Sequence, residues 1–197
     1  REISGGQQQK IAIATAIANE PEVLLMDEPF SNLDPFSKTK FFGHIKKEIE
    51  MIGAGVVFVT HDTRDALLFA DRIIVLRDTE VVQEGTPSEI YNHPIDEGVA
   101  DIFGPVSYMD ESFVMKYLPE FQIPKGNLGV RPESINIGEE GIEAQVYECL
   151  FAGERYHVQA YIGEESFIFH HEKELQKGEI VRLQINTNNL LTFGTKG

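Results

Sequence analysis

The sequence predicts an α/β front followed by a small all-β back. Over the first hundred residues, short apolar runs that read as strands alternate with helical patterns, which indicates a parallel sheet with crossover connections. Beyond Gly104-Pro105 the hydrophobic period changes to two, bounded by glycines at 141, 153, 163 and 178, as in short antiparallel strands. A length of 197 residues suits one large domain or two small ones, and 42% hydrophobic with 25% charged residues suits a globular core. The expected division is 1–104 and 105–197.

Each element has a local reason. Ser4 is placed to cap a helix over residues 7–19, with Ile11, Ala14, Ile17 and Ala18 on one stripe. Pro21 breaks that pattern, and Val23-Leu24-Leu25-Met26 reads as a strand buried on both faces. Asp34-Pro35 opens a second helix, with Pro35 suited to its first turn. Phe41, Phe42, Ile45, Ile49 and Ile52 keep the helical period until Gly53-Ala54-Gly55 ends it. Val56-Val57-Phe58-Val59 is another strand, followed by a helix around 64–69 and a strand at 72–76. In the back part Ile142, Ala144 and Val146 alternate with polar residues, as do Tyr156, Val158 and Ala160, and then Val181, Leu183 and Ile185. Four or more such strands suggest a small barrel or sandwich.

The charge balance excludes some partners. There are 17 Lys+Arg against 32 Asp+Glu, a net charge of −15, and both parts are acidic. Neither supplies the clustered cations that nucleic acid or an anionic membrane surface requires. The single cysteine, Cys149, excludes an intrachain disulfide and a polythiolate zinc site, favours a reducing compartment, and reads as a packed core or strand residue. The longest near-apolar run, residues 11–18, is too short to span a bilayer, and no charged-then-apolar leader opens the chain. A start at Arg1 without methionine is what a piece of a longer protein would show.

Three clusters in the front part carry chemistry. Ser4-Gly5-Gly6-Gln7 precedes a helix, where glycines allow close backbone approach and the helix start offers N–H groups and a positive dipole end to phosphate oxygens. An ordinary helix cap after a glycine-rich turn accounts for the same residues equally well. Asp27-Glu28 end the first strand, where open α/β sheets bind ligands. Asp27 suits magnesium held through water and Glu28 suits polarising an attacking water, while a solvated turn is the plainer account of the pair. His61, at the end of the second strand, can donate to a phosphate oxygen or a water, or be an ordinary surface histidine. The other histidines, at 44, 93, 157, 170 and 171, show no metal-ligand spacing, and His170 and His171 should point to opposite faces of a strand.

The order of these clusters carries a resemblance. Ile3-Ser4-Gly5-Gly6-Gln7, Leu24-Leu25-Met26-Asp27-Glu28-Pro29, Ser31-Asn32-Leu33-Asp34 and Val59-Thr60-His61-Asp62 together resemble the ATP-binding cassette (ABC) transporter ATPases. They look like that family's signature motif, Walker B strand, D-loop and H-loop, in order. Glu84-Gly85-Thr86-Pro87-Ser88-Glu89-Ile90-Tyr91, followed by Asn92-His93-Pro94, looks like the importer branch that works with a periplasmic solute-binding protein. Gly129-Val130-Arg131-Pro132-Glu133 and the short strands around it are similar to that branch's transport-associated OB-like (TOBE) domain. Ile3 stands where leucine is usual and Lys10 where arginine is common. No glycine is followed by lysine, so the GxxxxGK[ST] phosphate loop is absent, as is the Q-loop that precedes the signature.

The resemblance implies the second half of a P-loop NTPase domain over 1–104 and an OB-like domain over 105–197. It implies ATP and Mg2+, with Ser4, Gly5, Gly6 and Gln7 on the γ-phosphate of the opposite subunit, Glu28 orienting the attacking water and His61 contacting the γ-phosphate. Asp27 would support magnesium and Asp34 would sit at the dimer seam. The implied partners are a second copy, transmembrane permease subunits and, indirectly, the solute-binding protein, with no nucleic acid; the place is the cytoplasmic face of the membrane. The family grips ATP between two subunits, so closure and hydrolysis are coupled.

Without the phosphate loop, the chain alone is expected neither to bind ATP tightly nor to hydrolyse it. Uncovered sheet edge and core should be masked by self-association or loop rearrangement. A single short TOBE-like copy looks more like polyamine or ferric-iron importers than like the maltose type. A rival reading places a small-ligand-sensing site in 105–197, with Arg131, Arg155 and Tyr156 around an oxyanion. A chromosome-organising or DNA-repair ABC ATPase fits less well, because no heptad helices interrupt the chain.

Overall fold

A computed structural model describes residues 4–121 and 126–193, so Ile3 lies outside the described residues. The chain is mixed α/β and forms two compact units, Arg1–Asp71 and Arg72–Gly197.

In the first unit, helix α1 (Gly5–Ile17) starts with a reciprocal cap. The Gln7 N–H donates to Ser4 Oγ at 3.4 Å and the Ser4 N–H donates to Gln7 Oε1 at 3.1 Å. Strand β1 (Val23–Asp27) and strand β2 (Gly55–Val59) are parallel, in the register Leu25 to Val57 and Asp27 to Val59. Between them runs helix α2 (Pro35–Ile52), capped by Asp34, whose Oδ1 accepts from the Ser37 N–H at 2.9 Å. Gly53, at φ 68°, ends it in the left-handed conformation that glycine adopts without cost. Helix α3 (Thr63–Phe69) follows β2. Phe30, buried with Ile13, Leu24 and Ile45, lies edge-on to the half-buried Phe42, Phe58 and Phe69, and Phe42 stacks on Phe69 at 4.1 Å.

The first strand is not buried on both faces. Leu24 is 6% exposed, whereas its neighbour Leu25 is 73% exposed, and Val23, Val57 and Val59 are exposed with it. A two-stranded sheet with packing on one face buries alternate residues only, whatever its composition.

In the second unit, strand β3 (Ile73–Arg77) does not extend a parallel sheet. It pairs antiparallel with strand β4 (Glu80–Gly85) across a tight turn in which Asp78 and Thr79 both have positive φ. Helices α4 (Pro87–Asn92) and α5 (Glu97–Ile102), strand β5 (Ser107–Met109) and helix α6 (Glu111–Tyr117) follow. Strand β6 (Leu128–Val130) and a 3-10 turn (Pro132–Ser134) lead into β7 (Ile135–Phe151), β8 (Tyr156–Ile162) and β9 (Glu165–His171). Strand β10 (Ile180–Ile185), a 3-10 turn (Thr187–Asn189) and β11 (Leu191–Thr192) complete the unit. All pairing here is antiparallel, in sheets of order β10-β7-β8-β9 and β11-β6-β5. Ala144, Val146, Val158, Ala160, Val181 and Leu183 are all buried, so the period-two pattern marks the core face.

The seam between the compact units falls after Asp71, while the change of hydrophobic pattern falls near residue 104. Arg131 explains why residues 72–104 belong with the strands. It is 3% exposed, and its Nη groups donate to the carbonyls of Gly104, Ala100 and Tyr91 at 3.1, 3.2 and 3.3 Å. Its guanidinium also lies 3.9 Å from the centre of the Tyr91 ring.

Candidate functional site

Strands β1 and β2 end side by side, and the residue after β1 makes the site. Glu28 has φ 47°, a backbone conformation that costs a non-glycine residue about 1–3 kcal/mol and persists only where its surroundings impose it. The surroundings are specific. The Glu28 N–H donates to the Val59 carbonyl at 2.9 Å, and the Glu28 carbonyl accepts from Gln9 Nε2 and Ser31 Oγ, both at 3.1 Å.

This turn carries the Glu28 side chain across to the end of β2. Glu28 Oε1 accepts the His61 backbone N–H at 3.0 Å and meets His61 Nδ1 at 2.6 Å. A carboxylate only accepts, so Nδ1 carries the proton and Nε2 faces outward. The hydrogen bond from the His61 ring is the main reason that the Glu28 carboxyl sits below its ordinary pKa. The His61 side chain is 82% exposed, so the pair is open to a ligand from solvent. Asp27, one residue earlier, is exposed at the end of β1.

The glycine-rich start of α1 packs against the loop that follows Glu28. A Cβ on Gly6 would lie 2.8 Å from the Asn32 carbonyl oxygen and 3.0 Å from Leu33 Cδ2, whereas one on Gly5 would meet only Asn32 side-chain atoms at 3.7 Å or more. The close approach that Gly6 permits is therefore to this chain's own backbone, while Gly5 is exposed. Gln9 joins the two segments, donating to Glu28 O and Ser31 Oγ and accepting the Asn32 N–H at 3.3 Å. Ser4 and Gln7 bond each other, and Asp34 caps α2 with a carboxyl held below its ordinary pKa chiefly by the Ser37 hydroxyl.

Of the predicted site residues, Glu28 and His61 are thus in direct contact. Ser4, Gly5, Gly6 and Gln7 form a second group one loop away, with Gln9 as the bridge. Gln9 escapes a motif reading because it sits on a helix among three successive glutamines. Lys38 also escapes it. From α2, its Nζ meets Asp62 Oδ2 at 2.7 Å and Asp65 Oδ2 at 2.8 Å, and so fixes the start of α3 directly after His61. The desolvated Lys38 remains charged because both carboxylates face it, and Asp62 is held below its ordinary pKa chiefly by Lys38.

Among the described residues, no group of three or more His, Cys, Asp or Glu side chains is arranged to hold a metal ion. Magnesium needs few protein ligands when phosphate oxygens and water complete its shell, and exposed Asp27 fits that limited part. In the second unit the Nη groups of Arg131 are taken up by carbonyls, and Arg155 is exposed in the turn after β7. Arg131 is thus a packing residue and not part of a surface oxyanion site. No helix among the described residues is long and apolar enough to cross a membrane.

Residues 1–31, which carry the Ser4–Gln7 and Asp27–Glu28 clusters, match the family model described as ABC transporter. Two solved structures are similar to this chain: the dimeric structure of MJ0796, a bacterial ABC transporter cassette, and the dimeric post-hydrolysis state of the ATP-binding cassette MJ0796 bound to ADP and Pi. Each is 46% identical over 43% of this chain and 36% of that chain, with a TM-score of 0.40. The chain therefore spans about a third of the length of the structures it matches.

Proposed function

We propose that this chain is the C-terminal part of the ATP-hydrolysing subunit of an ABC-type importer, with a TOBE domain over residues 105–197. The observation that carries this reading is the Glu28–His61 contact at the ends of two adjacent parallel strands, where open α/β sheets bind their ligands. The match of residues 1–31 to the ABC transporter family model supports it.

Phosphoryl transfer to water needs positioning and charge neutralisation more than covalent chemistry. Glu28, anchored through its own backbone and through His61, orients and activates the attacking water. His61 directs its outer ring nitrogen at the γ-phosphate; with Nδ1 donating to Glu28, Nε2 is a donor there only in the imidazolium form, in which both ring nitrogens carry protons. Asp27 takes a water-mediated place on the magnesium that travels with the nucleotide. Ser4, Gly5, Gly6 and Gln7 reach the γ-phosphate held by a second copy, across a seam that includes Asp34. Closure of that seam drives permease subunits at the inner membrane face, on behalf of a solute-binding protein that delivers a polyamine or ferric iron.

The sequence contains no glycine followed by lysine, so the β- and γ-phosphates lack their main anchor in this chain. A chimera that supplies a phosphate loop upstream of Ser4 tests the reading. Magnesium-dependent ATP hydrolysis by the chimera, with none by the chain alone, is expected. A chimera that folds and binds ATP but does not hydrolyse it overturns the reading.

A further inference from the structure

The second unit carries a pair of histidines that is invisible in the sequence pattern. His157 on β8 and His170 on β9 stand directly opposite each other in the antiparallel ladder. Their alternating neighbours Val158 and Phe169 are buried, so both imidazoles project from the outer face of the sheet, away from the core. The ring centres are 4.6 Å apart with 46° between the planes, which is neither a stack nor an edge-on contact.

That separation is close to that of two imidazoles sharing one ion. Imidazole nitrogens about 2.0–2.1 Å from a tetrahedral ion place the two ring centres about 5 Å apart. We infer that His157 and His170 form a surface site for a divalent first-row transition metal of the zinc, nickel or copper type, completed by water. Imidazole donors select such ions over magnesium and calcium, which require oxygen.

The surroundings favour a cation over an anion. The chain carries a net charge of −15, and Glu133, in the 3-10 turn before β7, is near enough for its charge to act on His170. Arg155 is the opposing cation. His170 is partly buried beside His157. An exposed His157 leaves the ion an open approach.

The experiment is a calorimetric titration of the metal-free whole chain with Ni2+ alone, near neutral pH. One ion per chain is expected, with affinity falling at least about tenfold in His157→Ala and again in His170→Ala, while circular dichroism stays unchanged. His61→Ala, which removes the imidazole paired with Glu28 in the other unit, is expected to leave that affinity intact. Wild-type affinity in either His157→Ala or His170→Ala overturns the site, as does binding that disappears in His61→Ala or an absence of binding at millimolar Ni2+. The result is independent of nucleotide hydrolysis, so it stands or falls apart from the proposed function.

Discussion

A single oxygen of Glu28, Oε1, receives both the backbone N–H and the ring Nδ1 of His61, at 3.0 and 2.6 Å. The two residues are 33 positions apart and meet because β1 and β2 end in register. The positive φ of Glu28 then turns its side chain sideways along the sheet edge. One strained residue thus fixes both members of the pair.

The strain is held by the packing of α1 on the loop after β1, and Gly6 is its closest point. Gly6→Ala places a methyl group 2.8 Å from the Asn32 carbonyl and is expected to cost about 2 kcal/mol in urea unfolding. Gly5→Ala, with ordinary contacts, should lie within about 0.5 kcal/mol of wild type. Equal costs for the two variants would show that the α1 start does not depend on this contact.

The elements of this region were legible where their causes are local. Ser4 and Gln7 cap α1, Asp34 and Pro35 open α2, and Gly53 closes it, because each acts within one turn of its own position. The exposed side of β1 was not legible, since Leu24 and Leu25 differ only in what packs against them. Nor was the β3–β4 hairpin, whose turn uses Asp78 and Thr79 at positive φ where glycine or asparagine would have signalled it. The Glu28 and His61 positions stood out from strand ends, but Lys38 reaches carboxylates 24 and 27 positions away, and no spacing rule connects them.

Lys38 is the partner of a buried charge. Its side chain is 12% exposed and that of Asp65 is 6% exposed. Lys38→Met should destabilise the chain by about 3 kcal/mol, because it leaves the Asp65 carboxylate buried without a cation. Adding Asp65→Asn to that variant should recover a large part of the loss. If the double variant is no more stable than Lys38→Met, the ion pair is not what holds α3 on α2.

Arg131 plays the corresponding part in the second unit. Arg131→Met removes the donors to the carbonyls of Tyr91, Ala100 and Gly104 and should cost about 3 kcal/mol in chemical unfolding. Faster amide exchange should follow in residues 91–104, which lose their tie to the strands. Unchanged exchange there would contradict the role assigned to Arg131.

Stability should form a plateau between pH 6.5 and 10. Glu28, Asp34 and Asp62 have folded pKa values below their ordinary values of 4.5, 3.8 and 3.8, so their contribution is complete above those values and is lost as pH falls through the folded ones. His170 lies below 6.5, so the unfolded chain takes up that proton first and stability begins to fall below pH 6.5. Burial, with the hydrogen bond to Glu133, pushes Tyr91 up from 10.0 to about 12. Its contribution is complete below pH 10 and is lost as pH rises toward 12. Thermal unfolding across pH checks this: His170→Gln should flatten the profile just below pH 6.5, and an unaltered slope there would count against it.

The most direct measurement is steady-state ATP hydrolysis by the chimera carrying a phosphate loop, compared with its Glu28→Gln variant. Loss of a positioned general base predicts a kcat lower by about a hundredfold or more with KM little changed. Equal kcat values for the two proteins would contradict a catalytic role for Glu28 and the nucleotide site built around its contact with His61.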